Sequence, residues 1–307
     1  MSEGYHEPAI DFGSSKGAKK SVSKPVRMEE SSHESASSPS VSLWKSQWQK
    51  RFHQIGLWAE LTRNLAVRDV ETRYKHSMLG LYWAIINPLV TAAIFGFVFG
   101  VIFHASSKPI PYVVFMLTGI TFWNFFANGV MSAVGSISGN AALLAKIYFP
   151  RIVLPTASVL ARFIDFLFSL LVLIVFIFIY HTPIYWTTLW IPVILVLQIF
   201  FTLGIGYLVA ALNVLYRDVN QLMGLILLVW MYFSPVMYPV TNLKPSLRSI
   251  LLMNPMGSLL QMERDVIFTG HLQYPIFAWV ALAWTVFVFL AGISLFRRIE
   301  PLFAEVM

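Results

Sequence analysis

The sequence predicts an all-α, polytopic membrane protein. It has six transmembrane helices, an amphipathic helix ahead of them and re-entrant helices before the last span. Three observations carry this. Apolar residues make up 57% of the 307 and charged residues only 12%, about half the charge of a soluble domain. The charges are segregated: the first 75 residues hold 12 Lys/Arg and 9 Asp/Glu, the remaining 232 only 10 and 6. Between Lys75 and Lys146 the only charge is Lys108, so this stretch cannot be solvated as a globular surface.

Residues 1–42 form the first region. Twelve are Ser and the apolar residues are scattered, so the stretch cannot offset its ordering entropy and reads as a disordered tail. It lacks an apolar h-region, which predicts no cleavable signal peptide. Residues 43–75 change character. Trp44, Trp48, Phe52, Ile55, Trp58, Leu61 and Leu65 recur at helical spacing, with Gly56 as a candidate break. Tryptophans on one face with basic residues around them suit a helix lying in the headgroup layer. The competing reading, a core helix of a small soluble domain, lacks an obvious second element to pack against.

Residues 76–307 hold the spans, at roughly 79–103, 112–134, 154–180, 189–212, 221–237 and 275–296. Each is near the roughly 20 apolar residues that cross a bilayer, the fifth being short. Arg63, Arg68, Arg73, Lys75, Lys146, Arg151, Arg217, Arg297 and Arg298 flank one side, against Lys108, Lys244, Arg248 and Arg264 on the other. This asymmetry predicts cytoplasmic N and C termini. The net charge of +7 follows from that topology and does not indicate nucleic acid. Before the last span, residues 247–253 and 256–268 are apolar but too short to cross, as re-entrant helices are.

No catalytic constellation emerges. There is no phosphate loop, no cysteine and no His spacing for a metal, so no cofactor or metal is expected in this chain. A polytopic transferase would need a cluster such as Glu263, Asp265 and His271. Arg162 and Asp165 stand three apart on a predicted span and should pair. That pair serves either the fold or, alternatively, orientation against a second copy. Trp230, Tyr232, Phe233 and Tyr238 are candidates to line a sugar path, because apolar sugar faces stack on rings. Arg63 and Arg68, among the basic residues around the aromatic stripe, can attract anionic lipid.

Four segments resemble a known family: Arg73–Leu89, Lys146–Pro155, Leu212–Val219 and Asn254–Met256. In order, with six spans, they resemble ABC exporter permeases for cell-surface polysaccharides, closest to O-antigen permeases of the Wzm type. The resemblance covers roughly residues 52–307. It implies a non-enzymatic half-transporter in the bacterial cytoplasmic (inner) membrane: a homodimer with two ABC nucleotide-binding subunits that bind ATP and Mg and hydrolyse the nucleotide. The cargo would be lipid-linked O-antigen, with teichoic acid, capsule or a drug as alternatives, and Arg63 and Arg68 would guide its anionic lipid end toward the channel. It further implies periplasmic re-entrant helices and a coupling helix at roughly 138–147, where Asn140, Leu143, Leu144, Lys146 and Tyr148 would face the ATPase.

Overall fold

The computed structural model describes residues 39–75, 80–102, 110–144, 146 and 149–303, in two compact units, 1–50 and 51–307. All regular structure among them is helical: α1 Pro39–Tyr74, α2 Trp83–Phe95, α3 Tyr112–Val134, α4 Ala141–Leu144, α5 Val153–Ile179, α6 Ile191–Leu215, α7 Val219–Tyr232, α8 Pro245–Met253, α9 Pro255–Phe268 and α10 Pro275–Ile299. Nearly all of the Ser-rich tail lies outside the described residues.

Among the described residues five helical segments are long and apolar enough to cross a membrane: Trp83–Gly100, Tyr112–Val134, Val153–Ile179, Trp186–Leu215 and Pro275–Leu302. The predicted fifth span is the shorter α7. Its 14 residues rise about 21 Å, less than the roughly 30 Å hydrocarbon core. It stops at Tyr232, three residues before Pro235, which has no amide to continue the helical ladder. The first span starts later than predicted, because Gly80 takes a φ of +48° and opens a short 3-10 turn before α2. It finishes in a π-helix over Gly96–Ile102. The two short helices before the last span form as α8 and α9, as expected.

The core sits around α3, which is buried on nearly every side. Phe122, Phe125, Phe126, Phe166, Phe201 and Trp230 interlock there with ring centroids 5.2–6.2 Å apart. Interhelical hydrogen bonds supplement this packing: Gln198 Nε2 donates to Phe122 O (2.8 Å) and Asn213 Nδ2 to Val134 O (3.0 Å). Helices α6 and α10 touch backbone to backbone at Gly204 and Gly292. A methyl on Gly204 would lie 2.8 Å from Phe289 Cα.

Helix α1 is continuous through Gly56. The side chains of Trp44, Trp48, Phe52 and Ile55 lie outside the described ones, while Leu57 and Trp58 are exposed. Farther along, Leu65 and Ala66 are buried with Leu61 and Val70 against Val153, Leu154, Ala157 and Ala161 of α5. The second element that the sequence did not reveal is therefore the near end of α5.

Candidate functional site

Asp165 on α5 is the hub where α1 meets the span bundle. Its carboxylate accepts hydrogen bonds from Arg73 Nη1, from Tyr74 Oη (2.7 Å) and from Arg162 Nη1 (3.3 Å). Arg162 Nε also donates to Ser132 Oγ on α3 (2.6 Å). Burial and the bond to Asp165 push the Tyr74 phenol up, which keeps its proton in place for donation. Two guanidiniums on one carboxylate leave one positive charge uncompensated. The Arg162–Asp165 pair expected from spacing is present. The contributions of Arg73 and Tyr74, 92 and 91 residues away, had no local signal.

Two polar cavities adjoin this hub. One, of about 410 Å³, is bounded by α2, α3 and α5, with Asn87, Thr91, Asn124 and Asn128 in its wall beside Arg73 and Arg162. Pro88 removes the donor that would pair with the Ala84 carbonyl, and both residues line this cavity. The other cavity, of about 640 Å³, is lined by Arg68, Thr72, Arg73, Ser136, Asn140 and Ser158 among others. Arg73 belongs to both.

A single polar track connects them. Thr121, Asn124, Asn128, Ser132, Ser136 and Asn140 follow one another at three- and four-residue steps along α3 and its extension. The first three line the inner cavity and the last three the outer one. This track is written in the sequence as amides and hydroxyls at i, i+4 in an otherwise apolar span, a signal that neither charge nor aromatic content carries.

The segment expected to couple to an ATPase is a 3-10 turn, Ser138–Asn140, followed by the single turn α4. Leu143 and Leu144 are half-buried and pack against the cluster that Leu65 and Ala66 of α1 form with Val153, Leu154, Ala157 and Ala161 of α5. Asn140 Oδ1 accepts from Arg68 Nη2 (2.8 Å), and its Nδ2 donates to Ser136 O (2.8 Å). The structure thus joins an expected coupling residue to an expected guidance residue. Arg68 also pairs with Asp69 (3.0 Å). Arg63 is exposed, as is Lys146, whose amide donates to Leu143 O (3.1 Å). Tyr148 lies outside the described residues.

The four aromatics separate. Trp230 packs inward on Phe126 and Phe201, and its Nε1 donates to Asn254 Oδ1 (2.8 Å), fastening α7 to the start of α9. Tyr232 and Tyr238 share a cavity of about 470 Å³ with Phe99 and Tyr112. Tyr238 Oη donates to Tyr232 O (2.9 Å), while Phe233 is exposed.

Glu263, Arg264 and Asp265 are all buried in α9. Arg264 donates to Pro235 O, to Val236 O (2.7 Å) and to Phe115 O (3.2 Å), with its guanidinium 3.7 Å over the Phe115 ring. Burial lowers its pKa to about 9. Asp265 accepts from Gln261 Nε2 and Gln273 N (both 2.8 Å), and burial raises it to about 6. Burial also holds Glu263 well above the carboxylate range, and neither of its oxygens has a hydrogen-bond partner among the described residues. No hydrogen bond links Glu263, Asp265 and His271 there, and no group of three or more metal-ligating side chains occurs among the described residues.

Residues 60–268, which contain α3, the hub and both polar cavities, match the family model described as ABC-2 type transporter. The chain belongs to this family. It is similar to an O-antigen export system permease protein of Klebsiella pneumoniae, 30% identical over 84% of this chain and 99% of that protein. It is also similar to one from Myxococcus xanthus (31%; 79% and 93%) and to a polysialic acid transport protein of Escherichia coli (23%; 77% and 92%). As an ABC-2 type membrane domain the chain is a transmembrane permease subunit, and ATP hydrolysis lies in a separate nucleotide-binding subunit.

Proposed function

We propose that this permease exports a lipid-linked O-antigen polysaccharide across the bacterial cytoplasmic membrane. It works as a homodimer with two nucleotide-binding subunits, which bind ATP and Mg. Both termini and the α4 segment face the cytoplasm, α8 and α9 the periplasm. The observation that carries the reading is the polar track and its two cavities in an otherwise apolar bundle. A polysaccharide cannot cross hydrocarbon with its hydroxyls unpaired, so its carrier needs such a wall. The relatives' names supply the cargo class. In this arrangement α4 and Lys146 meet the ATPase, and the packing of Leu143 and Leu144 on α1 carries its movement to the hub at Asp165.

Deleting the gene and restoring it on a plasmid tests the reading. Surface O-antigen should vanish, its lipid-linked precursor should accumulate inside, and both should revert on restoration. Unchanged surface O-antigen would overturn it. Loss of capsule instead would favour the cargo named for the Escherichia coli relative.

A further inference from the structure

The inner cavity beside Asp165 carries features that the fold does not use. Asn87, Asn124 and Asn128 are exposed, and their amides have no hydrogen bond to any described residue. All three stand on helices long and apolar enough to span a membrane, where an unpaired amide against hydrocarbon is strongly disfavoured. Thr121, 3% exposed, lines the same cavity with its hydroxyl unpartnered. From Ser132, at the edge of the outer cavity, back to Thr121 the track covers 12 residues of α3, a rise of about 16 Å. At its Ser132 end stand Arg73 and Arg162. Arg73 donates to Asp165 and lies beside Tyr74, which leaves N–H groups of its five to spare. Trp83, 43% exposed, sits on the cavity's flank.

We infer that this cavity is a subsite for the phosphate–sugar junction of a lipid-linked glycan. The arginine pair holds the phosphate, and the amide track reads the first sugars. A guanidinium is planar and presents parallel donors that match phosphate oxygens. An Asn side chain both donates and accepts, as a sugar hydroxyl does, and Trp83 offers a ring for an apolar sugar face. Charge at one end and neutral amides beyond it match a ligand that is anionic at its junction and neutral further along. The assignment rests on the export reading above and deepens it.

The test uses the full-length protein in lipid nanodiscs. Two probes are titrated: a polyprenyl pyrophosphate bearing one hexose, and the same lipid without sugar. Inorganic pyrophosphate serves as competitor. The double variant Asn124→Leu/Asn128→Leu should bind the sugar-bearing probe at least tenfold more weakly and the sugarless one within twofold of native. Asn124→Leu alone should weaken the sugar-bearing probe about threefold, and it decides the matter if the double variant does not fold. Arg73→Gln leaves Asp165 paired with Arg162 and should weaken both probes about tenfold. Competition by pyrophosphate should disappear in it, which separates phosphate recognition from attraction to lipid. Sugar-bearing probe binding within twofold of native in the leucine variants, or equal loss of both probes there, would overturn the subsite and leave the export reading standing. Failure of the native protein to bind either probe would overturn both.

Discussion

Gly119 and Arg264 are 145 positions apart in the sequence, yet one exists in its present form because of the other. A Cβ placed on Gly119 would fall against Arg264 Nη2, closer than real Cβ contacts come, and 2.5 Å from Val236 O. The missing side chain is the slot through which the guanidinium of α9 reaches Pro235 O, Val236 O and Phe115 O. In Gly119→Ala the guanidinium must withdraw. Nη2 then loses its bonds to Val236 O and Phe115 O, each worth about 1.5–3 kcal/mol for a charged donor. Val236 O then stays buried without that donor, whereas Phe115 O keeps the helical N–H of Gly119. The expected loss is on the order of 3 kcal/mol or more, and it falls on the joint that holds α9 and the 233–238 turn against α3. Thermal unfolding of the detergent-purified protein, followed by loss of the monodisperse chromatographic peak, should drop by roughly 6 °C or more at about 2 °C per kcal/mol. The control is the cycle with Arg264→Met, in which the added methyl still presses on Val236 O but has no guanidinium to displace. There Gly119→Ala should cost less than half as much. Equal costs in both backgrounds, or a Gly119→Ala melting point within 1 °C of native, would refute this account of the joint.

Three further predictions concern α9 and the α1–α4 junction. Asp265 holds its proton more tightly when folded, at about 6 against 3.8. The stability it contributes is therefore complete below about pH 4 and lost as pH rises through 6, on the order of 3 kcal/mol in all. Asp265→Asn should gain on the native protein by that order between pH 4 and 7 in melting curves; a pH-independent gap would contradict it. Arg68→Glu breaks the bond to Asn140 and faces Asp69, so it should cost about 1–2 kcal/mol, whereas exposed Arg63→Glu should stay within about 0.5 kcal/mol; equal melting shifts would sink the distinction. Leu143→Asp/Leu144→Asp should lower protein level as well as export, because both leucines pack on α1 and α5. Exposed Lys146→Glu should lower export alone. A native protein level in the leucine variant would show that this packing is dispensable.

Much of the architecture was legible in the chain itself. A helix satisfies its own backbone, and apolar content is a local property, so α3, α5, α6, α10 and the α8–α9 pair lie close to where hydropathy and proline put them. The Arg162–Asp165 pair followed from spacing along one helix. The far partners of that pair did not, because contacts 91 and 92 residues apart depend on how helices cross. Nor could the sequence sort the aromatics. Lipid and protein interior are equally apolar to a ring, and only the packed bundle turned Trp230 inward and left Phe233 exposed. For the same reason the spacing of Leu65 on α1 fits a membrane-facing stripe equally well, and only the packing of α5 against it decides that it is buried in protein. The amide track was written in the sequence at helical spacing. That it borders a cavity, and that two arginines from different helices close one end of it, was decided by the tertiary structure, which alone sets which face of α3 stays free of neighbouring side chains.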